Sequence, residues 1–319
     1  MFLSVVWGWQ SWGSGDATVY LAAGERLNAG HDLYALVPGD RVVEIRPPYW
    51  TVPILSPPIV GILWQPLAAL PAELGPVLWA WAATLACAAT ILVFARRRPV
   101  LVGPALVALG LPLGVLMWSG NVDAFRLPAT VAVWYLATRV RQVAAGVIVG
   151  FMIAVKLTPA LLVVWLLVTG ARRGAVSALV TAIGITALAV LLVGLAPHLR
   201  YLDVIRNTVD VGTAEMTLAG LARDVGVAPD IARWLPELAV AISMVATILL
   251  RRTPGASFAA STIGQVLGAP ATGLHTFGLL LAALAPAVFP LGGEAEAGSA
   301  ETARVQAGSS EGTSLATGG

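Results

Sequence analysis

Residues 146–168 read G-V-I-V-G-F-M-I-A-V-K-L-T-P-A-L-L-V-V-W-L-L-V. The run is long enough to cross a bilayer, for which about 20 apolar residues suffice, yet Lys156 and Pro159 interrupt its middle. Arg139 and Arg141 precede it, and Arg172 and Arg173 follow it. Arginines beside apolar segments gather on the cytoplasmic side, so clusters at both ends put both ends on one side. A straight span cannot satisfy that. Pro159 supplies a break, because proline removes a backbone donor and turns the preceding residue away from helix. Residues 144–169 are therefore predicted to form two half-length helices in a V, with Lys156 near the tip. Irregular backbone of this kind survives in a bilayer only where protein or a wet cavity covers it.

The rest of the chain agrees with a membrane setting. Of 319 residues, 58% are apolar and 11% charged, less than half the charged share of an ordinary soluble domain. Mean hydropathy is +0.83. The net charge of +2 comes from short arginine clusters between apolar runs, so it points to topology and not to nucleic acid. Cys87 is the single cysteine, which excludes an internal disulfide and a cysteine-based metal site. His31, His198 and His275 have no metal-ligand spacing, and neither a metal nor another cofactor is expected.

Outward from the V, residues 74–95 are the first full span and end in Arg96, Arg97 and Arg98, the strongest basic cluster. That end is read as cytoplasmic, which places the polar region before it outside the cell. Residues 100–118 return outward, 119–126 form a polar tip, and 127–138 go back in. Residues 59–70, bounded by Pro58 and Pro71, suit a re-entrant or interfacial helix. Residues 175–195 run outward and 236–250 inward to Arg251 and Arg252. Residues 257–289 carry a break at Gly268-Ala269-Pro270 and form either one tilted span or another V. The expected organisation is one all-α polytopic transmembrane domain over 1–291. Its polar outer loops lie at about 15–56 and 196–235, and 292–319 is a disordered tail rich in Gly, Ser, Thr and Glu. The Trp-rich segment 1–12 is too short to span and reads as interfacial.

Few residues could carry chemistry. Asp16 opens a helical stretch over 18–27. A carboxylate there can accept a proton from an attacking hydroxyl, or it can simply cap the helix. Glu25 and Arg26 read as a solvated helix face, and Asp32 as a turn former or site acid, with Tyr34 nearby. Lys156 costs on the order of 3 kcal/mol to insert, so it should face a polar cavity, snorkel, or pair with a buried acid such as Asp123. Asn121, Asp123 and Arg126 on the polar tip could bind sugar hydroxyls or a phosphate, or form an ordinary turn. Arg200, Arg206 and Arg223 are further candidate phosphate contacts or surface charges.

Four stretches, D-A-T-V-Y-L-A-A-G-E-R-L-N-A-G-H-D-L-Y (16–34), P-P-I-V-G-I-L-W-Q-P-L-A-A-L-P (57–71), G-N-V-D (120–123) and the run 146–168, together resemble one family. It is the bacterial polyprenyl-phosphate-mannose-dependent mannosyltransferases of glycosyltransferase family 87, which have the GT-C fold. Order and spacing carry the resemblance, best over residues 15–195. It implies an inverting transfer of mannose from a polyprenyl-phosphate donor to a glycan or glycolipid acceptor, outside the cytoplasmic membrane. It puts the base at the first outer-loop acid, Asp16, and a donor-phosphate contact at Lys156. It implies neither a nucleotide sugar nor a metal. The alternatives are a transporter or flippase for a lipid-linked sugar, which would also use broken helices and a midplane lysine, and an inactive truncated relative.

Overall fold

The computed structural model describes residues 16–41, 54–71, 74–139, 141–211, 217–269 and 273–291. The expectations for the N-terminal Trp-rich segment and the tail from 292 lie outside them. Among the described residues the secondary structure is entirely helical. In chain order the helices are α1 (Asp16–Asn28), α2 (Pro58–Ala68), α3 (Leu74–Arg97), α4 (Pro99–Ser119), α5 (Asp123–Thr138), α6 (Gln142–Val155), α7 (Ala160–Val168), α8 (Arg172–Val193), α9 (Ala196–Val211), α10 (Leu218–Asp224), α11 (Pro229–Ala232), α12 (Leu235–Leu249), α13 (Pro254–Leu267) and α14 (Ala285–Val288). A 3-10 segment, Leu274–Leu284, leads into α14. The helices α3, α4 and α8 and the helical run Pro229–Arg252 are each long and apolar enough to cross a membrane. Their apolar side chains point largely outward, with Val107 89% and Leu191 82% exposed, as a surface solvated by lipid requires. The protein is an all-α polytopic membrane protein.

The V is present. α6 stops at Val155, Lys156 is extended, and α7 resumes at Ala160. With 14 residues at a rise of 1.5 Å, α6 reaches only about 21 Å into a hydrocarbon core of roughly 30 Å. What holds so short a helix is close packing. A Cβ on Gly146 would lie 2.0 Å from the Gly174 carbonyl oxygen, and one on Gly150 would lie 2.4 Å from that of Ala178. Gly146 and Gly150 on α6 face Gly174, Ala178 and Ala182 on α8, a small-residue seam of the kind that lets membrane helices approach. The matching positions rise together, so α6 and α8 are parallel, and α7 makes the return run that joins them. The Ser177 hydroxyl donates to the Val143 carbonyl across the seam, at 2.9 Å.

The arginine clusters converge on one end. Arg97 lies 4.7 Å over the Phe289 ring, and the Trp134 indole, one turn from Arg139, donates to the Phe289 carbonyl. The Trp165 indole, near Arg172, donates to the carbonyl of Pro254, which follows Arg251 and Arg252. Trp134, Trp165 and Phe258 pack together in this core. Both ends of the α6–α7 V therefore sit at the basic end. The stretch 254–289 is a second V: Pro254 and Phe289 lie at that same end, and a Cβ on Gly255 would meet Pro286.

Two expectations need correction. Residues 123–126 are not part of a polar tip. They form the first turn of α5, because the left-handed Gly120 ends α4 and Asn121 Oδ1 accepts the Asp123 amide at 2.8 Å. The inward leg is thus a 16-residue helix. Arg26 is not solvated but 2% exposed. The chain after α1 folds back towards it, bringing the carboxylates of Asp40 and Asp32 near its guanidinium. Glu25 remains at the surface and takes both Nε and Nη2 of Arg41.

Candidate active site

Four elements meet at the end opposite the arginine clusters. The α4–α5 turn supplies Asn121, the first turn of α5 supplies Asp123 and Arg126, the tip of the first V supplies Lys156 and Thr158, and α13 supplies Gln265. A second core of α1, α2 and the α6 tip backs them, with Tyr20, Trp64, Val122, Val155 and Ala189.

Asp123 is fully buried and is shared by two cations. Lys156 Nζ donates to its Oδ2 at 2.9 Å, and Arg126 Nη1 donates to its Oδ1. Arg126 is itself 3% exposed. Its Nη2 donates to Thr158 Oγ1 at 3.1 Å and to Gln265 Oε1 at 3.0 Å, while its Nε, also buried, meets no acceptor among the described residues. One carboxylate thus faces two cations, and the cluster keeps an excess positive charge. Lys156 remains about a fifth exposed.

Asp16 joins this cluster through Asn121, whose Nδ2 donates to Asp16 Oδ2 at 2.9 Å. Asp16 lies in the first turn of α1, where the helix dipole favours a carboxylate. Gly120 permits the contact. Its φ is +64°, and a Cβ there would come within 2.9 Å of Ala17. The Trp79 indole fixes the turn by donating to the Gly120 carbonyl. Tyr20, one turn along α1, is buried against Trp64 and Trp79. Burial, and then the carboxylates of Asp16 and Asp123, hold its phenol protonated well above the usual range.

Asp32 and Tyr34 belong to a different knot. Asp32 Oδ1 accepts the amides of Tyr34 and Ala35, a turn-forming role, and its Oδ2 pairs with Arg200. The Tyr34 hydroxyl donates to the Ser56 carbonyl at 2.6 Å, and its ring lies 6.1 Å from that of Tyr201. No hydrogen bond among the described residues connects this knot to Asp16 or Lys156. Arg223 Nε donates to the Ala219 carbonyl of its own helix. The Arg206 side chain is outside the described structure.

Of the ten sequence candidates, five are brought together: Asp16, Asn121, Asp123, Arg126 and Lys156. Sequence reasoning missed Tyr20, Thr158 and Gln265. Gln265 had left a signal, being a polar residue inside the apolar run 257–268.

The family model of glycosyltransferase family 87 matches residues 55–272, more than half of the chain. No curated protein and no solved structure matches the chain. Asn121, Asp123, Arg126, Lys156 and Gln265 fall within the matched stretch, and Asp16 precedes it.

Proposed function

Since the chain belongs to glycosyltransferase family 87, we propose that it moves a mannosyl residue from a polyprenyl-phosphate donor to a glycan or glycolipid acceptor, with inversion. Family membership makes it a membrane glycosyltransferase; the donor, the sugar and the residue roles belong to this proposal. The basic end faces the cytoplasm and the Asp16 end faces outward.

The observation that carries the residue assignment is the placing of a partly exposed carboxylate, Asp16, beside a buried cluster with excess positive charge. In the proposed step Asp16 takes the proton of the acceptor hydroxyl. The acceptor oxygen bonds to the anomeric carbon, the carbon–oxygen bond to the donor phosphate breaks, and its electron pair leaves with polyprenyl phosphate. Lys156 and Arg126 stabilise the charge that grows on the departing phosphate, and the unpartnered Nε of Arg126 is a ready donor. Asn121 orients the Asp16 carboxylate, and Asp123 holds the two cations in register.

Membranes carrying the protein, given radiolabelled polyprenyl-phosphate-mannose and a panel of acceptors, should yield labelled product. Asp16→Asn should lower transfer by roughly 10²–10⁴ while leaving donor binding intact. Unchanged transfer in that variant would remove Asp16 as the base, and donor crossing without transfer would favour a flippase.

A further inference from the structure

At the opposite end, Arg141, Gln142, Gly170, Arg172 and Arg173 line a cavity of about 460 Å³. The three arginines come from places some thirty residues apart, and the re-entrant V brings them together. None makes a salt bridge among the described residues, so the groove has cations and no counter-charge. The parallel helices α6 and α8 both begin here, and neither is capped by a side chain, so their dipoles add to the positive potential. Below the arginines, Val143, which also lines the cavity, Val147 on α6 and Val180 on α8 are 45–65% exposed. The groove therefore presents guanidinium forks at headgroup level above an apolar strip at acyl-chain level.

We propose that this groove binds a phosphate group, that of an anionic phospholipid whose chains lie along the valine strip. Planar guanidinium groups suit phosphate oxygens, and basic pockets between membrane helices recognise anionic headgroups. The lipid bridges the two ends of the V whose tip carries Lys156. Binding here stiffens α6 and α7 relative to α8 without touching the tip.

The test uses the full chain in detergent, titrated with phosphatidylglycerol, phosphatidylcholine or inorganic phosphate, with thermal unfolding and native mass spectrometry as readouts. Phosphatidylglycerol should raise the unfolding midpoint and remain bound, and phosphatidylcholine should not. The triple variant Arg141→Gln/Arg172→Gln/Arg173→Gln should weaken phosphatidylglycerol binding on the order of tenfold or more. Arg96→Gln/Arg98→Gln/Arg251→Gln removes equal charge from the same end and should keep it. Should the first triple variant fail to accumulate, Arg141→Lys/Arg172→Lys/Arg173→Lys keeps the charges that orient the chain, loses the forked geometry, and should bind severalfold more weakly. Equal weakening by both glutamine triples, or none in any variant, would overturn the site. Stabilisation by inorganic phosphate equal to that by phosphatidylglycerol would overturn the lipid as its occupant.

Discussion

Lys156 Nζ stands 2.9 Å from Asp123 Oδ2, and that bond ties the tip of a re-entrant hairpin to the first turn of a neighbouring helix. The pair settles how a lysine persists at the middle of an apolar run. It is neither snorkelling nor isolated, because a buried carboxylate shared with Arg126 compensates it.

Removing that carboxylate should be costly. Asp123→Asn leaves Arg126 and Lys156 facing each other without a counter-charge, a change worth about 3–5 kcal/mol where a buried pair is broken. Detergent-solubilised Asp123→Asn should unfold at a markedly lower midpoint. Asp123→Asn/Lys156→Met, which removes one cation as well, should recover part of the loss. Additive losses would mean that the two side chains are not coupled.

Asp16→Asn preserves an acceptor for the Asn121 amide while abolishing basicity. Transfer should fall by roughly 10²–10⁴, the usual contribution of a positioned base, with the unfolding midpoint unchanged. A loss of stability matching the loss of turnover would mark Asp16 as a helix cap alone.

Gly120→Ala should separate positioning from folding. The substitution forces a left-handed alanine, costing on the order of 1–2 kcal/mol, and drives its methyl towards Ala17. Asn121 should then lose its hold on Asp16, and turnover should drop more than stability does. Gly114→Ala, where a Cβ meets nothing within 4 Å, is the matched control in α4.

The seam between α6 and α8 predicts a sharp contrast along the chain. Gly150→Val should overpack it and cost about 1–3 kcal/mol, read as a lowered unfolding midpoint. Gly184→Val, on α8 with open space around it, should cost little. Comparable effects at the two positions would refute the parallel close packing.

Arg200 is paired with Asp32, and its side chain is 51% exposed. Arg200→Gln should therefore change stability by less than about 1 kcal/mol, with an effect that shrinks in salt. A large loss of donor affinity in this variant would instead place it at the phosphate.

Much of the architecture was readable because charge and apolarity are strong signals in a membrane chain. The arginines around residues 144–169, with Pro159 inside, dictated a V, and the alternative of a Lys156–Asp123 pair needed only a buried acid at the right depth. The extent of α5 was harder. Asp123 and Arg126 look like turn residues until their ion pair and the Asn121 turn absorb their polarity. The Asp16–Asn121 bond spans 105 residues and depends on the fit of Gly120 to Ala17, which no local pattern encodes. Arg26 misled for a similar reason: the chain that buries it folds back from outside its own helix. Gln265 reaches Arg126 across 139 residues, so its role emerges only once the second V is assembled.

A hairpin that enters and leaves by one face also bears on how the protein is made. α6 is too short to cross alone and ends in an ammonium, so it cannot be released into lipid as a finished segment. The α8 face that receives its glycines, Gly174, Ala178 and Ala182, is synthesised only after α7. The seam can therefore form only once α8 has been made. In the topology proposed above, the V adds no crossing, so the segments after it keep the orientation that α3 to α5 have set.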